Sequence, residues 1–140
     1  MGTRSIQRRW SAPNGDDRLT RPQEPLTETL ARIARRWSVH SDTARRLLVA
    51  SGAQPHGGRR RWAWSDVWRA EGAGRVDPMD RGLMRRPLLS ANECAERDPL
   101  ERSARTWRRY LADGRLPVVR LAPNIRRARE SDFDDWAERL

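Results

Sequence analysis

The sequence predicts a mainly α-helical chain with small β-hairpins, an α+β plan laid down twice in tandem. Three observations carry that expectation: two motifs repeat in register, apolar residues recur at helical spacing behind capping residues, and short β-runs flank turn residues. Thr43-Ala44-Arg45-Arg46-Leu47-Leu48 returns 63 residues later as Thr106-Trp107-Arg108-Arg109-Tyr110-Leu111. Arg60-Arg61-Trp62-Ala63-Trp64-Ser65-Asp66-Val67 returns 66 residues later as Arg126-Arg127-Ala128-Arg129-Glu130-Ser131-Asp132-Phe133. The order is kept and only the intervening loop changes length, which marks an internal duplication.

Breaker residues set the boundaries. Residues 1–25 carry Pro13, Asn14, Gly15, Pro22 and Pro25 without an apolar period, and are expected to form a disordered or loosely ordered basic arm. Residues 71–86, from Glu71-Gly72-Ala73-Gly74 through Asp77-Pro78, are expected to be a flexible linker. Two structured modules remain, residues 26–70 and 87–140.

In the second module Ser90-Ala91-Asn92-Glu93 is a capping box that opens a short helix to about Arg97. After a turn through Asp98-Pro99, a second helix is expected from Ser103 to about Ala112, closed by Gly114. Val118–Leu121 and Ile125–Ala128 form a hairpin around Ala122-Pro123-Asn124, and Ser131 is expected to cap a last helix carrying Phe133, Trp136 and Leu140. The first module follows suit: helices over about Thr29–Trp37 and Asp42–Ala50, a hairpin within Gln54–Trp64 turning at Gly57-Gly58, and a third helix capped by Ser65.

Charge bounds the function. The formal net charge is +10, the isoelectric point is about 11.5, and every one of the 29 basic residues is arginine. Such a balance favours a polyanionic partner, and arginine's planar fork can take a phosphate or a guanine edge bidentately. A GC-rich genome accounts for much of the preference for Arg over Lys, so position matters more than number. From Ser103 to Arg129 there are eight arginines against one acid, Asp113, whereas the next eleven residues hold five acids and one arginine. The acidic final helix is therefore expected to face away from a polyanion.

Chemistry of other kinds has little support in the residues. His40 and His56 lie in turns without acid or cysteine partners, Cys94 reads as a small buried residue, and Asp132, Asp134 and Asp135 suit the first turn of a helix. Catalysis, a metal site and a cofactor are not expected. The single cysteine fits a reducing cytoplasm, and the apolar runs are too short to span a membrane. Trp37, Trp64 and Trp68 are expected in the core, and Trp62 is the one tryptophan suited to touch nucleic acid.

Helix, turn, helix, β-hairpin, helix is the winged-helix order. Leu88-Leu89-Ser90-Ala91-Asn92-Glu93-Cys94-Ala95-Glu96, Ser103 and Thr106, Gly114-Arg115-Leu116-Pro117 and Arg126-Arg127-Ala128-Arg129-Glu130-Ser131-Asp132 together resemble the excisionase and MerR-type winged-helix family. The likeness covers 87–140 well and 26–70 more loosely, and the turn Asp98–Arg102 is longer than the family's usual one. The resemblance implies two tandem winged-helix modules that bind double-stranded DNA in a bacterial, phage or other mobile genetic element. The implied role is an excisionase (recombination directionality factor) or a transcription regulator, with a site-specific recombinase or RNA polymerase as protein partner. Cooperative self-association on DNA and a cytoplasmic, nucleoid-associated location accompany it. The alternative from another class is a DNA-binding adaptor, like a small terminase subunit, that recruits a larger enzyme. RNA is disfavoured, since neither an aromatic sheet platform nor a GXXG loop is evident.

Helix phasing then names the contacts. Trp107, Tyr110 and Leu111 define one buried stripe, leaving Arg105 and Arg109 opposite, with Thr106 and Arg108 flanking. Arg120, Asn124, Arg126 and Arg127 surround the hairpin tip and suit backbone or minor-groove contact. In the first module Ala44, Leu47 and Leu48 are buried, which leaves Thr43, Arg45 and Arg46 on the helix and Arg59, Arg60 and Arg61 on the hairpin. Asp42, aligned with Arg105, supports the helix N-terminus or accepts from cytosine N4.

Overall fold

The computed structural model describes residues 26–56 and 61–140. Expectations for the arm 1–25, the Gly57-Gly58 turn, Arg59 and Arg60 lie outside these described residues. Within them the fold is mixed α/β, with seven helices and two small antiparallel sheets. None of these helices is long and apolar enough to cross a membrane.

The first repeat runs β1 (Thr27–Thr29), α1 (Leu30–Trp37), α2 (Ser41–Ala50), β2 (Arg61–Ala63) and α3 (Trp64–Ala70). The Thr29 hydroxyl accepts from the Arg32 amide and starts α1; Ser38, in the left-handed region at φ 55°, ends it. Ala44 and Leu48 of α2 pack against Ile33, Ala34 and Trp37 of α1. One expectation is corrected here. The strand paired with β2 is β1, in the register Thr27–Ala63, Glu28–Trp62 and Thr29–Arg61, and Gln54–His56 carry no strand.

A 3-10 turn (Pro78–Asp80) and α4 (Arg81–Met84) follow, and then the second repeat. It comprises β3 (Leu88–Leu89), α5 (Ala91–Arg97), α6 (Ala104–Asp113), β4 (Val119–Ala122), β5 (Ile125–Arg129) and α7 (Glu130–Glu138). Ser90 and Glu93 form the expected capping box, Ser103 caps α6, and Gly114 closes it in the left-handed region at φ 71°. Ser65 and Ser131 do not cap: each sits at the second position of its helix, behind Ala63 and Arg129, which offer no side-chain cap. The two pairings correspond in register: Leu88–Arg129 and Leu89–Ala128 stand where Thr27–Ala63 and Glu28–Trp62 stand in the first segment.

The three-stranded sheet, in the order β3-β5-β4, lies between the two groups of helices. Side chains alternate across a strand, so adjacent residues serve opposite cores. Leu88 joins the core of the first repeat while Leu89 joins that of the second, and on β4 Val119 and Leu121 turn to the first repeat with Arg120 exposed between them. Burying Leu88, Val119 and Leu121 there contributes on the order of 5 kcal/mol toward holding the repeats together.

Residues 71–86, expected as a linker, are anchored at both ends, at Glu71 and at the carbonyls of Met84 and Arg86, whereas Asp77–Asp80 between them are exposed. Glu71 is 4% exposed and Arg36 is 8% exposed. The Arg36 fork grips Glu71 at 2.7 and 3.0 Å, and two of its remaining protons go to the carbonyls of Met84 and Arg86 at 2.8 and 2.6 Å. The Trp37 indole donates to the same carboxylate at 2.7 Å, and Arg129 reaches it from β5 at 3.1 Å.

Candidate nucleic-acid interface

Helix α6 presents its arginines because its other face is committed. Trp107 and Leu111 are buried among Leu89, Cys94, Leu116, Ala128 and Phe133. The Trp107 ring meets Tyr110, Phe133 and Trp136 edge-on or tilted, at centroid distances of 4.9–5.4 Å. At 100° per residue this stripe leaves Arg105, Arg108 and Arg109 outward, and all three are exposed. Among the described residues none of the three forms a hydrogen bond or ion pair. Thr106 is half-buried and belongs to the cap: its amide donates to the Ser103 hydroxyl, and its own hydroxyl accepts from it.

Beneath Arg108 a cavity of about 260 Å³ opens between the first turn of α5, α6 and the β4-β5 hairpin, lined by Asn92, Arg108, Asn124, Arg126 and Arg127 among others. Arg126 Nε is buried there without a hydrogen-bond partner. A buried guanidinium proton left unpaired is costly, and an anionic oxygen in the cavity would satisfy it. Arg120 stands directly across from Arg126 in the ladder. Like charges in that position are unfavourable by a few tenths of a kcal/mol or more. A polyanion on this face of the hairpin would remove the conflict.

Strand alternation separates two residues expected to act together. Arg126 shares a face with Ala128 and looks toward α5 and α6, whereas Arg127 shares the face of Ile125 and Arg129. Arg127 donates to the carbonyls of Trp37 at 2.8 Å, Ser38 at 3.2 Å and Arg126 at 2.7 Å, and burial lowers its pKa. Its guanidinium joins the repeats.

The first repeat offers less. Arg45 and Arg46 are exposed on α2, and Arg46 donates to the half-buried Thr43 hydroxyl at 3.3 Å. Arg61 is pinned to β1, donating to the Thr27 hydroxyl at 2.8 Å and carbonyl at 2.9 Å. Trp62 is 2% exposed, so it is core rather than a stacking surface.

Residues that sequence reasoning missed do the positioning. Asp98, 4% exposed, receives the Arg102 fork at 2.8 and 3.2 Å, the Trp107 indole at 2.9 Å and the amides of Leu100 and Arg102. Burial alone would raise its carboxyl; the Arg102 hydrogen bond, with those from the Leu100 amide and Trp107, instead holds it at about 2. Arg102 also lies over Trp136 at 4.8 Å, so this unit fixes the start of α6 against α7. Two acids of α7 are occupied internally: Glu130 accepts from Arg97 and Arg86, which lowers its pKa, and Asp134 accepts from Arg86. Arg36, Arg86, Arg97, Arg102 and Arg127 are thus paired internally, whereas among the described residues Arg105, Arg108 and Arg109 of α6 are not. No family model, no curated protein and no solved structure matches the chain.

Proposed function

We propose that the chain binds double-stranded DNA through its two repeats acting as tandem winged-helix modules, without catalysing a reaction. The observation that carries this reading is the cluster of Arg105, Arg108 and Arg109 on α6, unpaired among the described residues, with Arg108 meeting Asn124 and Arg126 at the cavity and Arg120 across the ladder from Arg126. Helix α6 supplies guanidinium groups for guanine edges or bordering phosphates, and the hairpin supplies phosphate contacts that set register. On the first repeat Arg45 and Arg46 provide a smaller second contact. Through its resemblance to the excisionase and MerR-type family, the biological role we favour is a recombination directionality factor or transcription regulator of a bacterial or phage mobile element.

Selection from a random duplex pool at near-physiological salt tests the proposal. An enriched motif in two unequal halves, with the stronger half lost in Arg105→Ala/Arg109→Ala, is the expected result. Absence of duplex retention would overturn it. A second reading, an adaptor that recruits a larger enzyme to DNA, is favoured by the exposed apolar side chains of Met79 and Leu83 on residues 77–84. Tight co-purification with a large ATPase, lost on Met79→Ser/Leu83→Ser, would select it.

A further inference from the structure

The surfaces proposed to touch DNA belong to different repeats, and the space between the repeats is filled rather than hinged. Three sets of contacts close it. Leu88, Val119 and Leu121 of the second repeat complete the core built on Ile33, Trp37 and Leu48. Glu71 joins Arg36 and the Trp37 indole of α1 to Arg129 of β5. Arg127 of β5 donates to the carbonyls of Trp37 and Ser38, three residues before α2 begins at Ser41, and Ser38 Oγ donates to Glu93 of α5. The turn leading into α2 is thus held by the hairpin of the other repeat.

We propose that this seam is a ruler: it holds α2 and α6 at one separation and one angle, so the DNA target is a bipartite site of a single spacing. The proposal rests on the DNA-binding reading and adds its specificity rule. A free tether of residues 71–86 would behave otherwise, because sixteen extended residues span up to about 50 Å and accommodate many spacings. With the seam closed, inserting two base pairs between half-sites moves the second by about 7 Å and turns it by about 70°, and the two repeats cannot both engage.

The test uses the full chain and the selected duplex, with zero, one, two, four and ten base pairs inserted between the half-sites. We expect at least a tenfold loss of affinity at two inserted pairs and no recovery at ten. Arg127→Ala, and Glu71→Gln provided it remains folded by circular dichroism, should cut that discrimination to threefold or less. Affinity constant within threefold across the wild-type series would overturn the ruler while leaving DNA binding intact.

A second readout needs no DNA. Spin labels at Ala50→Cys and Ala112→Cys, both exposed positions on α2 and α6, should give one narrow distance distribution. Cys94 is fully buried with its thiol pushed up to about 12 by burial, and does not compete for the label. A broad distribution would overturn the ruler directly. A narrow one together with no duplex binding would instead remove the DNA reading, and the ruler's function with it.

Discussion

Each repeat buries one carboxylate gripped by an arginine fork and a tryptophan indole, but the two hubs differ in reach. In the second repeat Asp98 gathers Arg102 and Trp107, all within nine residues, and the hub is finished locally. In the first, Glu71 gathers Arg36 and Trp37 from 34 to 35 residues upstream, and then Arg129 from the other repeat. The same contrast runs through the cores. The aromatic cluster of Trp107, Phe133 and Trp136 belongs wholly to the second repeat, whereas the first core is completed by Leu88, Val119 and Leu121 from outside it. Duplicated plans need not give independent domains. Here the second copy is self-contained and presents its arginines to solvent, while the first is built onto it.

The largest effect expected from breaking this comparison is at Glu71. Glu71→Ala leaves the buried Arg36 without its carboxylate, and loss of one partner of a buried pair costs about 3–5 kcal/mol. Chemical denaturation should register that loss. A shift below 1 kcal/mol would mean that the seam contributes little.

Asp98 comes next. Its folded carboxyl, at about 2, lies below the ordinary 3.8, so its contribution is fully present above the unfolded value and fades as pH falls through the folded one. That contribution is about 2 kcal/mol. Asp98→Asn should lower stability by about this amount at pH 7 and flatten the acid limb between about pH 4 and pH 2. An unchanged acid limb would assign the titration to other carboxylates. Smaller still is the difference between helix caps. Ser103→Ala should cost about 1 kcal/mol, whereas His40→Ala should cost a few tenths, because His40 gives α2 no side-chain cap. Equal losses in thermal unfolding would contradict the contrast.

Local features were legible in the sequence. The Ser90-Glu93 capping box, the Ser103 cap, the Gly114 stop and the stripe of Trp107 and Leu111 all depend on residues a few positions apart, where periodicity and capping rules operate. The exposed side of α6 followed from that stripe. Long-range pairings were not legible. Nothing near Glu71, which sits beside Gly72 in a breaker-rich stretch, signals that its partners are Arg36 and Arg129. The first-repeat hairpin was misplaced for a related reason: Gly57-Gly58 is a strong local turn signal, but Arg61–Ala63 found its partner at Thr27–Thr29. Arg126 and Arg127 look equivalent in an arginine run, and both line the cavity, but the strand's two-residue alternation takes the Arg127 guanidinium to the seam and leaves Arg126 facing α5 and α6. Asp98 does carry a local signal, an arginine four residues on at Arg102.

On the proposed reading, the arginines of α6 and the hairpin meet DNA phosphates and bases. Its most direct test is a salt titration of duplex binding by the wild-type chain and by Arg105→Ala/Arg108→Ala/Arg109→Ala. Removing three of the five arginines on this face (Arg105, Arg108, Arg109, Arg120 and Arg126) predicts a log–log slope shallower than the wild type's by about 2.7. Affinity should fall at least a hundredfold at about 1–3 kcal/mol per lost contact, with unfolding midpoints unchanged. Equal affinities and equal slopes in two folded proteins would contradict the account.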